Sequence, residues 1–243
     1  MMLTEAMAPF GLALRDYADG DESAEMEIER DDGLREPLPI GFFFRTPSEF
    51  FPLERSALEL CRGRVLDIGA GSGIHSLELQ KRGFNVKAID VSPDAVSVMS
   101  NRGVSDARCA DVFTFSGERF DTLLLLGHGI GMTETLDGLD RFLDRMHMLL
   151  QPGGQILLHS LDVTKTDVTH HLAYHRKNID AGRYAGEIRM RIRYRDVIGP
   201  TYSWIQVDPD TLADHASKFN WRTEVVVQEP DGNYLARLTL ESF

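Results

Sequence analysis

Residues 65–73 read Val-Leu-Asp-Ile-Gly-Ala-Gly-Ser-Gly, an apolar strand that runs into glycine at every second position. Glycine permits positive φ and leaves no Cβ between backbone and ligand. Gly69, Gly71 and Gly73 therefore define a strand–turn–helix unit open to close approach. A dinucleotide-binding turn, G-x-G-x-x-G, would need glycine at position 74, where this chain has Ile74. That pattern also leaves Asp67, just upstream of the first glycine, unexplained. An acid at this strand end suits a ligand carrying a positively charged amine.

Strands and helices alternate around that turn. A strand over 64–68 leads to a helix over 74–82 closed by Gly83. A strand over 85–90 precedes a helix opened by Ser92-Pro93, a hydroxyl cap followed by proline at the first helical position. A short strand over 106–109 and an apolar strand over 120–126, suited to burial on both faces, come next. A helix from about 134 to 150, ended by Pro152-Gly153-Gly154, leads to a strand over 155–160. This rhythm predicts a doubly wound, mostly parallel sheet with right-handed crossovers.

The flanks read differently. Residues 3–17 have helical spacing, and 24–29 alternate apolar with acidic side chains, the period of a half-buried strand. Asp31-Asp32-Gly33 turns that strand back toward Ile40, with Pro37 and Pro39 keeping the return at an edge. The cluster Phe42, Phe43 and Phe44 follows as the base of a lid. A helical stretch over 47–60, limited by Pro52, ends at Gly63. Beyond residue 161, the stretch 187–195 alternates again, with Arg189, Arg191, Arg193 and Arg195 on one face. Gly199-Pro200 turns it back over 202–207, and Asp208-Pro209 caps a helix to about 219. Strands 222–228 and 234–240 close a hairpin through Asp231-Gly232-Asn233.

A length of 243 residues, 42% of them hydrophobic, suits one domain with a small embellishment. We expect a single domain over 1–243, with a core over 46–161 and 208–243 and an accessory β cap over 20–44 and 184–207. A net charge of −12 argues against a nucleic-acid partner. The apolar runs are strand-length, so no membrane segment is expected, and the first residues lack a secretory pattern. Cys61 and Cys109 fit reduced thiols of a cytoplasmic protein.

Two further acids follow at strand ends. Asp90 closes the second strand of the alternating region, and an ionised carboxylate there can accept from both hydroxyls of a ribose. Asp111 follows the third, placed to accept from an adenine amino group while the Val112 N–H donates to the ring. Carboxyl ends of parallel strands are where open α/β sheets bind ligands. With VLDIGAGSG, the segments AIDVS at 88–92, ADVF at 110–113, FDTLLLLG at 120–127 and LLQPGGQILL at 149–158 resemble the core of a class I S-adenosylmethionine-dependent methyltransferase.

The resemblance implies a Rossmann-like, seven-stranded sheet whose terminal hairpin supplies an antiparallel strand. It implies S-adenosylmethionine as cofactor. Asp67 with Gly69, Ala70, Gly71 and Gly73 would hold the methionine end, Asp90 the ribose, and Val91 would lie against the adenine. Asp111 and Val112 would read the base, and the backbone at Leu126 and Gly127 would pass beneath the sulfonium.

His128, directly after the fourth strand, is the candidate general base or else a pocket-lining residue. Arg45 is a candidate contact for the cofactor carboxylate or an anionic substrate. His170, His171 and His175 form a small cluster in which 171 and 175 would share a helix face, but the third ligand that a metal needs is not evident, and no metal site is expected. The arginine strand reads as a basic wall for an acidic substrate or, in the favoured account, as the partner of Glu25, Glu27 and Glu29 across the accessory sheet. A homodimer through either strand edge is an open possibility. The expected activity is methyl transfer to an oxygen or nitrogen of a small molecule; the alternative is a non-catalytic S-adenosylmethionine-binding sensor or interaction protein.

Overall fold

The computed structural model describes residues 2–240. The helices are α1 (Met2–Ala6), α2 (Ala8–Ala18), α3 (Pro52–Leu60), α4 (Ile74–Lys81), α5 (Pro93–Arg102), α6 (Leu136–Met146), α7 (Thr169–Asp180) and α8 (Pro209–Ser217). The strands are β1 (Glu25–Arg30), β2 (Arg35–Pro39), β3 (Arg64–Ile68), β4 (Asn85–Asp90), β5 (Ala107–Cys109), β6 (Phe120–Leu125), β7 (Leu150–Leu161), β8 (Glu187–Tyr194), β9 (Val197–Ile198), β10 (Tyr202–Ile205), β11 (Trp221–Gln228) and β12 (Asn233–Leu240). Among the described residues, no helix is long and apolar enough to cross a membrane.

Seven strands form a mixed sheet in the order β11-β12-β7-β6-β3-β4-β5. β3, β4 and β5 pair in parallel, as do β6 and β7, while β12 runs antiparallel to both β7 and β11. The terminal hairpin thus inserts its last strand inside the edge, as expected. A separate antiparallel sheet has the order β10-β8-β1-β2, with β9 on β8.

The chain divides into two compact units. The first comprises Met1–Pro52, Arg64–Phe115 and Arg189–Tyr202. Val65, Leu66, Ile68, Ala88, Ile89 and Met99 are buried here, so β3 and β4 are covered on both faces. In the small sheet, Glu27 stands opposite Arg193 and Glu29 opposite Arg191. The acidic and basic faces legible in the sequence therefore meet, with Arg35 of β2 near both glutamates. Arg195 leaves the expected strand. It sits at φ 50° beyond β8 and pairs with Asp16 and Asp21 instead.

The second unit comprises Leu53–Gly63, Ser116–Ile188 and Ser203–Phe243. Leu123, Leu124, Leu125, Ile156, Leu157, Leu158, Phe142 and Tyr234 are fully buried. Each such side chain contributes about 1.5–3 kcal/mol of transfer free energy. The Trp221 indole N–H donates to Leu143 O at 3.1 Å, so the largest buried ring keeps its polar atom satisfied.

Three expected boundaries shift. The helix over 3–17 breaks at Met7, and Pro9 sits in the first turn of α2. Pro52 begins α3 rather than limiting it, after a 3-10 turn over Pro47–Glu49. Helix α6 ends at Met146, not near 150, and β7 begins at Leu150. Phe120 N–H donates to Leu149 O, and the register jumps from Phe120–Leu150 to Thr122–Gln155, so 151–154 bulge out of the ladder. Leu149 and Leu150 continue the helical apolar spacing, but sheet pairing satisfies their backbone.

Candidate active site

In the first unit, β3 delivers Asp67 and then the turn. Gly69, Gly71 and Gly73 lie at φ 71°, 57° and 81°, the left-handed region that only glycine enters freely. Gly73 must be glycine for a second reason: a Cβ there would stand 2.8 Å from Val104 Cγ2 and 3.0 Å from Met99 Cγ. The turn is tied to β4 through Gly69 and Ala70 N–H, which share the Ile89 carbonyl at 2.9 and 3.1 Å.

Asp67 is buried, and Ser76 Oγ donates to its Oδ2 at 2.6 Å. Burial raises its pKa, opposed by His75 and the Ser76 bonds. Asp90 is buried too. Its Oδ2 accepts from Gly71 N–H at 3.0 Å and its Oδ1 from Ser92 N–H at 2.9 Å. Burial again raises the pKa, and Asp67 adds repulsion against the helping backbone donors. Two neighbouring carboxylates whose charged forms are disfavoured complement a cationic amine and a pair of hydroxyl donors. The lone pairs of the Asp90 carboxylate outnumber these backbone donors, so it keeps acceptor capacity for a ligand. The chemistry of this donor set fits S-adenosylmethionine.

Val91 is half-buried, and its carbonyl accepts from Cys109 Sγ at 3.6 Å. Asp111 is exposed just beyond β5, and its Oδ1 accepts from Phe113 N–H at 2.9 Å. Val112 beside it is buried. Arg45 stands 4.2 and 4.5 Å over the Phe42 and Phe51 rings and donates to the carbonyls of Phe42 and Glu49. Much of its guanidinium is therefore spent inside its own segment.

Sequence reasoning missed several neighbours of the turn. Ser72 Oγ donates to Phe43 O, and Arg102 donates to both Ser72 O and Ser72 Oγ at 2.7 Å. Arg102 also stacks 4.6 Å over Phe44. Phe10 of α2 meets Phe43 edge-on at 4.8 Å, and its ring edge lies 3.7 Å from where a Gly71 Cβ would be. The aromatic run pointed to this packing, but no local signal marked Phe10 or Arg102.

In the second unit, β6 ends in a strained loop. Gly127 and His128 are consecutive left-handed residues at φ 60° and 61°. Glu134 sits at φ 68°, ψ −47°, closed by a Thr135 N–H to Thr133 O bond of 2.7 Å, a rare tight turn for a non-glycine residue. Gly131 packs directly against the Trp204 indole, with no room for a Cβ between them. Leu126 is buried, and apart from its chain neighbours no described residue lies within 4 Å of a notional Gly127 Cβ.

His128 is the polar centre of this unit. Its ring lies 4.0 Å from that of His159, and its backbone N–H meets His159 Nδ1 at 3.4 Å. Its Nδ1 is 3.2 Å from Gln206 Oε1. Burial, with help from His159, pushes the His128 pKa down to about 3, so the ring is neutral at ordinary pH. His159 Nε2 bonds Asn233 Oδ1 at 2.9 Å. Gln206 and Asn233 are both distant in sequence: Gln206 carries no local signal, and Asn233 is marked only as part of the hairpin turn. His170 and His171 sit on α7 with ring centroids 4.2 Å apart.

The glycine turn, the paired acids and the sheet order define a class I S-adenosylmethionine-dependent methyltransferase. A family model described as a methyltransferase domain matches residues 42–224, and the chain belongs to that family. A solved S-adenosylmethionine-dependent methyltransferase from Bacteroides fragilis, in complex with S-adenosyl-L-homocysteine, is 33% identical. The match covers 100% of this chain and 98% of that one, with a TM-score of 0.87. A Methanosarcina mazei S-adenosylmethionine-dependent methyltransferase shares the fold at 16% identity and a TM-score of 0.58, over 79% of this chain and 99% of that one. The ubiquinone biosynthesis O-methyltransferase of Xanthomonas euvesicatoria is 33% identical over 115 residues, 44% of this chain and 46% of that protein. The match thus spans about half the length of such curated relatives.

Proposed function

We propose that this protein transfers a methyl group from S-adenosylmethionine to a hydroxyl oxygen of a small molecule, with His128 receiving the hydroxyl proton. One observation carries the reading: a neutral, half-buried imidazole sits three residues beyond β6, in the loop at the carboxyl end of that strand. The curated relatives named as O-methyltransferases support oxygen as the acceptor atom. The net charge of −12 favours a small molecule over a nucleic acid.

When bound, S-adenosylmethionine supplies a methyl carbon on sulfonium, which becomes a neutral thioether as the acceptor oxygen forms the new C–O bond. The chain's task is alignment, water exclusion and removal of one proton. Asp67 and the glycine turn are assigned the methionine end, Asp90 the ribose, and Val91, Asp111 and Val112 the adenine. Leu126 and Gly127 are assigned to the reacting end. The hydroxyl proton becomes strongly acidic only as the C–O bond forms. A base that is weak in the ground state therefore suffices in the transition state. Within the first unit, α2, β1 and β2 are assigned as a cap for the cofactor edge, with α2 tied to β8 by Tyr194 OH to Asp16 at 3.0 Å.

The test is methyl transfer from labelled S-adenosylmethionine to matched phenols, catechols, aliphatic alcohols and amines. Label entering only the hydroxyl compounds supports the proposal. Transfer to amines alone overturns the oxygen assignment. Cofactor binding without transfer to any acceptor favours the sensor.

A further inference from the structure

We propose that Gln206 is a positioning residue that locks His128 as its Nδ1–H tautomer and so leaves the ring's lone pair on Nε2. This deepens the reading of His128 as proton acceptor and rests on it. A neutral imidazole carries one N–H, and its location decides which nitrogen can accept. His128 Nδ1 lies 3.2 Å from Gln206 Oε1, and a carboxamide oxygen can only accept, so Nδ1 donates.

Gln206 is well placed to hold that geometry. It is buried, and its backbone N–H donates to Gly186 O at 2.9 Å. Ser160 Oγ, 3.5 Å from Gln206 Oε1, donates to Val207 O at 3.1 Å and accepts from Val207 N–H at 3.0 Å, anchoring the adjacent residue.

The neighbouring ring is fixed in the opposite state. His159 Nδ1 accepts the His128 backbone N–H at 3.4 Å, so its proton resides on Nε2 and donates to Asn233 Oδ1 at 2.9 Å. Asn233 Nδ2 is in turn held by Asp231 Oδ2 at 2.8 Å, which keeps the amide oxygen turned toward His159. Two histidines 4.0 Å apart thus carry complementary tautomers, and only His128 presents a basic Nε2.

The experiment is long-range 15N–1H correlation of the imidazole nitrogens in labelled protein saturated with S-adenosylhomocysteine, a measurement that needs no acceptor. The expected result is a protonated-type Nδ1 and a lone-pair-type Nε2 for His128, with the reverse for His159. Gln206→Met should let His128 populate its Nε2–H form, and Gln206→Glu, an acceptor of similar shape, should restore the Nδ1–H form. Turnover should fall at least about tenfold in Q206M and recover in Q206E, with cofactor affinity unchanged in both, since a wrong tautomer removes the accepting nitrogen. An Nε2–H His128 in the wild-type protein overturns the proposal, as does an unchanged tautomer in Q206M. If Q206M does not fold, the wild-type spectrum alone decides. A His128→Asn variant with full turnover would defeat the proton-acceptor reading while leaving the tautomer assignment intact.

Discussion

Arg191 holds Glu29 through two parallel hydrogen bonds, Nη2 to Oε1 at 2.7 Å and Nε to Oε2 at 3.1 Å, across β8 and β1. The planar guanidinium matches a carboxylate edge, which lysine could not do. The Arg191 bond chiefly holds the Glu29 pKa below the ordinary carboxylate range, with Arg35 and Arg193 adding to it. A depressed folded pKa contributes stability above the unfolded value near 4.5, and that contribution is lost as pH falls through the folded value. Glu29→Gln should therefore lower stability at neutral pH and leave it less sensitive to acid. Urea denaturation at pH 7 and near pH 3 checks this. Equal losses at both pH values would mean that the charge is not what matters.

The cofactor acids should behave in the opposite sense. Burial raises the folded pKa of Asp67 and Asp90. In the ligand-free protein, the stability linked to their neutral forms is present below the unfolded value of 3.8 and lost as pH rises through the raised values. A cofactor presenting an ammonium and hydroxyl donors favours the charged acids, so its binding should release protons and tighten as pH rises. Calorimetry with S-adenosylhomocysteine in buffers of different ionisation enthalpy measures that release. Asp90→Asn should weaken binding about tenfold or more, the loss expected when a charged acceptor is removed.

Gly73→Ala tests the turn itself. Alanine at φ 81° is strained, and its methyl group meets Val104 and Met99. The combined cost should reach about 1–3 kcal/mol in chemical denaturation, with weaker S-adenosylhomocysteine binding. A variant with wild-type stability and affinity would show that the turn relaxes freely.

His128→Asn is the cleanest probe of proton removal, because asparagine tolerates the left-handed backbone that His128 adopts. Turnover on a hydroxyl acceptor should fall by roughly 10²-fold or more, the usual contribution of a positioned base, with S-adenosylhomocysteine affinity unchanged. Because the folded pKa is only about 3, the wild-type kcat profile should show no histidine-like acid limb between pH 5 and 8. A limb centred near 6.5 that vanishes in the variant would contradict the buried, neutral assignment.

Much of this protein could be read from local sequence. The strand–turn–helix at 64–82 was legible because glycine alone enters the left-handed region at positions 69, 71 and 73. Ser92 and Asp208 were legible as caps, and their side chains accept from Ala95 and Thr211 N–H. The opposed charges of β1 and β8 were legible as period-two patterns, and the structure pairs Glu29 with Arg191. What failed was decided over distance. Helix α6 stops at Met146 because sheet pairing at Leu149 and Leu150 competes with the helix for their backbone groups.

The sequence by itself determined the class of ligand, since Asp67, the glycine turn and Asp90 lie within one 24-residue stretch whose chemistry is set locally. Only the tertiary structure decided the environment of His128. Gln206, His159 and Asn233 lie 78, 31 and more than a hundred positions away and meet in the second unit through the packing of β6, β7 and β12. Which nitrogen holds a proton depends on that through-space neighbourhood, and no local pattern of residues encodes it.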